Sequence, residues 1–150
     1  MTLNGKQCLV PSMVTSTNCH QETDTLIRYN SYTSTGRPLS YKESGQPTTY
    51  LKWAVNDSYL MLKGNDYIPF NISDEEFRNR EVCYTKISQY IRNNATDLIG
   101  YIYNPLFGPV HIILPNGNET SYQYDNYGRL TGIFDYNNKQ IKQFQYNLRK

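Results

Sequence analysis

Two histidines, three cysteines and one run of three acids are the side chains of this sequence with the chemistry for catalysis or metal binding. His20 and His111 suit general acid–base work or a metal. Cys8, Cys19 and Cys83 suit nucleophilic attack or thiolate ligation, and Asp74, Glu75 and Glu76 suit carboxylate acid–base chemistry. Spacing argues against each. Cys19 stands beside His20, but there is no C-x-x-C pair, and a zinc site would have to be gathered from three distant places. The expectation is therefore no metal and no cofactor. An odd number of cysteines excludes a complete disulfide framework within one chain and leaves partly buried thiols. No G-x-S-x-G elbow, Cys/His arrangement with family spacing or phosphate-binding glycine loop occurs. The chain is expected not to be an enzyme, with His20 and His111 in loop or sheet-surface roles. The alternative is a small hydrolase or accessory enzyme whose site lies near a helical insertion, marked by His20 or His111 beside a carboxylate in a pocket.

The acids belong to an element. Ser73-Asp74-Glu75-Glu76 is a capping box: Ser73 accepts from the third helical amide, Glu76 reaches back, and the acids sit at the positive end of the helix dipole. Behind it Phe77, Tyr84, Ile87 and Ile91 fall at helical spacing with Cys83 and Tyr90 beside them. This predicts one helix of about 18 residues over 74–92 that buries this stripe on a sheet and stops at Asn93-Asn94. Residues 57–97 are read as the insertion, between 1–56, with N-terminal edge strands and a first repeat, and 98–150, with further repeats, all in one domain.

The flanking blocks have a period. Aromatic doublets recur at Tyr101 and Tyr103, Tyr122 and Tyr124, and Phe144 and Tyr146, and each doublet points to one face of a strand. Turn signals follow at near-constant offsets: Asn104-Pro105-Leu106-Phe107-Gly108, then Asp125-Asn126-Tyr127-Gly128. Asp first and Gly fourth suit a type I turn. About nine residues later come Asn116-Gly117 and Asn137-Asn138, with Asn-Gly a strong hairpin signal. The same grammar runs from Tyr32 through Gly36-Arg37-Pro38-Leu39 to Ser44-Gly45, with Tyr50 at the offset of Tyr122. The fold class is accordingly mostly β (α+β): antiparallel hairpin repeats in a meandering sheet, interrupted by the helix.

Composition agrees. Fifteen tyrosines against five phenylalanines and one tryptophan place much of the buried surface in rings that also need a hydrogen-bond partner, which thin sheets supply. A net charge of +2 from scattered basic residues gives no footprint for nucleic acid. The longest apolar runs, such as Ile112-Ile113-Leu114, are far too short to span a bilayer. The first residues have no charged n-region followed by an apolar stretch, so no signal peptide is visible. The triplets at Asn56, Asn71, Asn94 and Asn118 match the glycosylation pattern and are read as chance.

Tyr124-Asp125-Asn126-Tyr127-Gly128-Arg129-Leu130 resembles the YD-repeat signature of Rhs and related bacterial proteins. Tyr103-Asn104 with Gly108, and Tyr32 with Gly36-Arg37, are similar but degraded copies, and Tyr146-Asn147 opens another. The stretches 101–117 and 36–53 resemble Rhs-like proteins of gut Bacteroidetes. In that family such hairpins spiral into a hollow shell, often around a toxin; with three or four repeats this chain is expected to enclose nothing and to carry no cargo. The resemblance implies a non-catalytic structural or interaction module of a surface or secreted protein. Its repeat positions would be Tyr32, Gly36, Arg37, Tyr103, Gly108, Asn116, Gly117, Tyr124, Asp125, Gly128, Arg129 and Tyr146. Tyr50, Trp53, Tyr101 and Tyr122 are the candidate interaction surface. The expected partner is a protein, or a second copy pairing through the sheet edges, with a glycan as another candidate.

Overall fold

The computed structural model describes residues 9–94 and 97–147 in full and the backbone of 2–3 and 6–7. Cys8, the Thr96 that completes the Asn94 triplet, and the chain after Asn147 lie outside the described residues. The chain divides into two compact units, Met1–Phe70 and Asn71–Lys150.

In the first unit, β1 (Thr2–Leu3) and β2 (Lys6–Gln7) pair as a short hairpin. An antiparallel meander follows in chain order: β3 (Met13–Thr17), β4 (Thr23–Tyr32), β5 (Pro38–Glu43), β6 (Thr48–Ala54) and β7 (Tyr59–Gly64). β3 is the expected N-terminal edge strand, exposed along its whole length. β7 lies within the segment read as a helical insertion. Its adjacent Met61 and Leu62 are both fully buried, so both faces of the strand are covered and period-2 alternation is absent. Ala54, Ile68 and Phe70 complete the core of this unit.

The second unit opens with the expected capping box: the Glu76 amide donates to Ser73 Oγ at 3.2 Å, and Glu76 Oε2 accepts from the Ser73 amide at 3.0 Å. The helix is not continuous. α1 (Asp74–Arg78) ends at Asn79, whose backbone is extended (φ −78°, ψ 97°), and α2 (Arg80–Asn94) restarts behind it. Asn79 Oδ1 accepts from the Val82 amide at 3.3 Å, so one residue ends the first helix with its backbone and caps the second with its side chain. α2 stops at Asn94, as Asn93-Asn94 signalled. Phe77, Cys83, Ile87 and Ile91 are buried as expected, whereas Tyr84 and Tyr90 are half-buried. α2 packs on β8 (Ile99–Asn104), the first strand of a second meander through β9 (Gly108–Ile113), β10 (Glu119–Tyr124), β11 (Leu130–Phe134) and β12 (Gln140–Gln143). Leu98, Ile102, Val110 and Ile113 are the sheet's share of this core. Phe144 and Tyr146 lie past the end of β12 rather than on a strand, although the Phe144 amide still donates to Thr131 O at 3.0 Å.

Candidate functional site

One turn is used repeatedly. In 18–22, 33–37, 114–118, 125–129 and 135–139 the first residue's amide donates to the carbonyl of the fifth, at 2.8 to 3.0 Å, and the fourth residue's amide donates back to the first carbonyl, at 2.9 to 3.1 Å. The fourth residue is left-handed each time: Gln21, Gly36, Gly117, Gly128 and Asn138. This is a type I turn closed by a one-residue bulge, a three-residue hairpin loop. Asn116-Gly117 therefore works as the third and fourth residues of such a turn, not as a two-residue loop.

The Asp of the YD signature acquires a physical role here. Asp125 Oδ1 accepts from the amides of Tyr127 at 2.9 Å and Arg129 at 3.0 Å. Asp135 repeats the pattern with Asn137 and Lys139, both at 2.9 Å, and Thr33 does so with its hydroxyl. These bonds, led by the Arg129 amide, hold the Asp125 carboxyl below the usual carboxylate range. At Leu114 no acceptor is available, and Asn116 Oδ1 takes the Asn118 amide instead.

Four aromatic side chains tie one stretch of the meander to another by a ring lock, a hydrogen bond from the polar end of the ring to a backbone carbonyl. Tyr124 Oη donates to Pro109 O, Tyr146 Oη to Leu130 O and Trp53 Nε1 to Pro38 O, each at 2.8 Å, and Tyr32 Oη donates to Pro11 O. Pro109 stands one residue after a left-handed glycine, and Pro38 and Leu130 two residues after one. Where an arginine follows that glycine, the same ring covers it: the Arg37 guanidinium lies 5.7 Å from the Trp53 ring centre and that of Arg129 lies 4.8 Å from Tyr146. Arg129 is held further by Tyr127 at 5.2 Å and by Asp125, with Nε to Oδ2 at 2.8 Å. The copy at Gly108 has Pro109 in place of arginine, and there Phe107 lies against Tyr124 with ring centres 6.1 Å apart. Tyr103 packs on Phe77 of α1, and burial pushes its hydroxyl up to about 12.

Trp53 is thus a repeat position. Its distance from Gly36 falls between those separating Gly108 from Tyr124 and Gly128 from Tyr146, the signal by which spacing could have found it. Tyr50, Tyr101 and Tyr122 are half-buried, as Trp53 is, and Tyr50 meets Tyr67 edge-on. Among the described residues the exposed tyrosines are Tyr67, Tyr127, Tyr136 and Tyr146.

His20 lies in the exposed turn 18–22. His111 is not on an open sheet surface. Its ring meets the Tyr84 ring of α2 at 5.4 Å, and its Nδ1 is buried without a hydrogen-bond partner, 3.7 Å from Glu119 Oε1. The other carboxylate oxygen, Oε2, accepts from Tyr84 Oη at 2.9 Å. Burial lowers the His111 pKa; Glu119 opposes that shift and Arg80 adds to it. Arg80, Glu81, Tyr84 and His111 line an open depression of about 340 Å³. Cys83 is buried, which pushes its thiol up to about 11, while Cys19 is exposed. Among the described residues no three His, Cys, Asp or Glu side chains gather as metal ligands, and no helix is long and apolar enough to cross a membrane.

Residues 109–133, which run from β9 through two of the turns into β11, match a family model described as RHS Repeat. No curated protein matches the chain.

Proposed function

We propose that this chain, an Rhs-type repeat module, is a non-catalytic structural and interaction element of a surface or secreted protein. The observation that carries this reading is the recurrence of the same turn and ring lock in both units, at Arg37 with Trp53 and at Arg129 with Tyr146. Every titratable side chain in these positions is spent on capping a turn or bracing a ring, as expected of a scaffold. The partner is a protein strand at the sheet margins, a second copy of the chain included; a glycan on the exposed tyrosines is the competing partner. β12 supports edge pairing: all four of its residues are exposed, with Ile141 62% accessible. Light scattering over a concentration series tests this. Self-association that Ile141→Pro abolishes is expected, and a strictly monomeric chain at high concentration refutes edge pairing.

A small hydrolase or accessory enzyme is the second reading, favoured by His111 beside Glu119 at a depression under the inserted helix. Turnover of chromogenic ester, phosphate or glycoside substrates, lost in His111→Ala, would support it. Lack of turnover on all three classes would remove it.

A further inference from the structure

The second unit holds an arginine that the repeat does not use. After Gly36 and Gly128 the next residue is an arginine whose guanidinium is covered, Arg37 by Trp53 and Arg129 by Tyr146. The copy at Gly108 has Pro109 in that place, so it supplies no arginine for Tyr124 to cover. A guanidinium reaches this neighbourhood from another element. Arg80, the first residue of α2, lines a depression of about 300 Å³ together with Phe107 and Tyr124. Unlike Arg37 and Arg129, its side chain makes no ring contact, ion pair or hydrogen bond among the described residues. Asn104, Tyr122 and Gln123 line the same depression, and among the described residues nothing accepts from Asn104 Nδ2, Tyr122 Oη or Gln123 Nε2. Asn104 Oδ1 is already taken by the Leu106 amide at 3.0 Å, which leaves the donor end of that side chain. A bulge accounts for Gln123 sharing the depression with both its strand neighbours. The pairing of β10 with β11 slips between Gln123 and Tyr124, with Thr131 as the extra residue, and bulges of this kind re-aim side chains.

We propose that this depression is a docking site for an acidic segment of a partner protein, with Arg80 holding one carboxylate and Asn104 and Gln123 donating to the backbone carbonyls beside it. The inference rests on the reading of the chain as a protein-binding module and names the chemistry of its partner. Charge complementarity selects that chemistry. No carboxylate lines the depression, since Glu81 belongs to the other one that Arg80 borders, with Tyr84 and His111. One cation and three neutral donors call for a ligand that is negative and rich in acceptors. The planar guanidinium matches a carboxylate with two parallel hydrogen bonds. A single cation also balances a single carboxylate, whereas a phosphate monoester with nearly two charges would stay half neutralised. Phe107 and Tyr124 offer flat apolar contact to the methylene stem of an acidic side chain. The volume stands at the lower end of the range of ligand pockets, which suits a side chain and its flanking backbone rather than a large cofactor.

NMR titration of the full chain at low salt tests the site, with acetylated hexaglutamate amide as the acidic probe and hexaglutamine amide as its neutral counterpart. The side-chain amide resonances of Asn104 and Gln123 and the Nε–H of Arg80 should move and saturate with the first peptide and stay still with the second. Arg80→Gln should weaken binding about tenfold, the lower end of what a hydrogen bond to a charged group contributes. Gln123→Ala should weaken it by less, and it keeps the test alive if the first variant fails to fold. Arg28→Gln, at an exposed position on β4 of the first unit, should bind as the parent does, which separates the site from general attraction. Light scattering of Arg80→Gln should still show whatever edge pairing the parent shows, so failure of this site and failure of edge pairing are told apart. No saturable movement at Asn104 and Gln123, equal affinity in Arg80→Gln and the parent, or an equal loss in Arg28→Gln overturns the proposal. So does a hyaluronan tetrasaccharide that moves those resonances where hexaglutamate does not, since the site would then take an acidic sugar.

Discussion

Alanine at Gly128 should cost more than alanine at Gly117, by an amount set by a single ring. Both glycines are the fourth residue of the recurring turn, with φ of +76° and +80°. Both lie in the unit Asn71–Lys150, so one unfolding transition reports both. A side chain in this left-handed region costs roughly 1–2 kcal/mol at either site. At Gly117 that is the whole cost, since an added Cβ meets nothing within 4 Å. At Gly128 the Cβ would stand 3.0 Å from Cδ1 of Phe107, so the ring must give way by a few tenths of an ångström against Tyr124. Turning a side chain off its rotamer adds about 0.5–1.5 kcal/mol, which brings Gly128→Ala to roughly 1.5–3.5 kcal/mol. Urea unfolding followed by far-ultraviolet circular dichroism measures both variants, with unchanged slopes as the condition for comparing midpoints. Phe107→Ala supplies the cycle: in its background Gly128→Ala should fall to the Gly117→Ala value. Equal costs at the two glycines, or no relief from Phe107→Ala, would refute the view that successive turns of the repeat are in contact through Phe107.

The other predictions concern the lock, the cap and two titrating groups. Arg37→Ala should lower stability by about 0.5–1 kcal/mol, the value of an exposed cation–π contact, and shift the emission of Trp53, the single tryptophan; unchanged emission would contradict the stacking. Asp125→Ala should lower the urea midpoint more at neutral pH than in strong acid. A carboxyl held below its usual range stabilises the fold above that range and loses the effect as pH falls through its folded value. His111 has the opposite preference for charge, neutral in the fold. Stability should therefore decline as pH falls below the ordinary histidine value of 6.5, and His111→Gln should flatten that decline in a urea series. Iodoacetamide under native conditions should label Cys19 and spare Cys83, whose thiol is buried and pushed up to about 11; peptide mapping distinguishes the two.

Turns and strands were legible because their determinants are local. Asp125 and Gly128 specify their turn from within five residues, and Ser73 with Glu76 specifies the start of α1. The break at Asn79 was not legible, since its neighbours sustain a helical pattern and one Asn in such a pattern is usually tolerated. β7 escaped for a related reason. A strand buried on both faces, with Met61 and Leu62 adjacent, carries no alternation to detect. The role of Trp53 was not legible because small differences in turn length slide the aromatic against the glycine, and matching the repeat on Tyr50 and Tyr122 left Trp53 outside the repeat positions. The arrangement at His111 was beyond the reach of the sequence, since Tyr84 and Glu119 are 35 residues apart and meet only when α2 packs on the sheet.

The tyrosine count, conspicuous as it is, does not by itself define the repeat. Four rings make the lock, and one of them is a tryptophan; what Tyr32, Trp53, Tyr124 and Tyr146 share is a polar hydrogen at the far end of a flat apolar body. Phenylalanine could cover Arg129 but would leave the Leu130 carbonyl without its donor. The turn demands only a left-handed residue fourth, and a side-chain acceptor first supports it where one is present: Asn and Gln in 18–22, Thr and Gly in 33–37 and Asp and Asn in 135–139. The repeat is therefore kept more closely in chemistry than in letters, and the same turn recurs in stretches where the letters of the signature have gone.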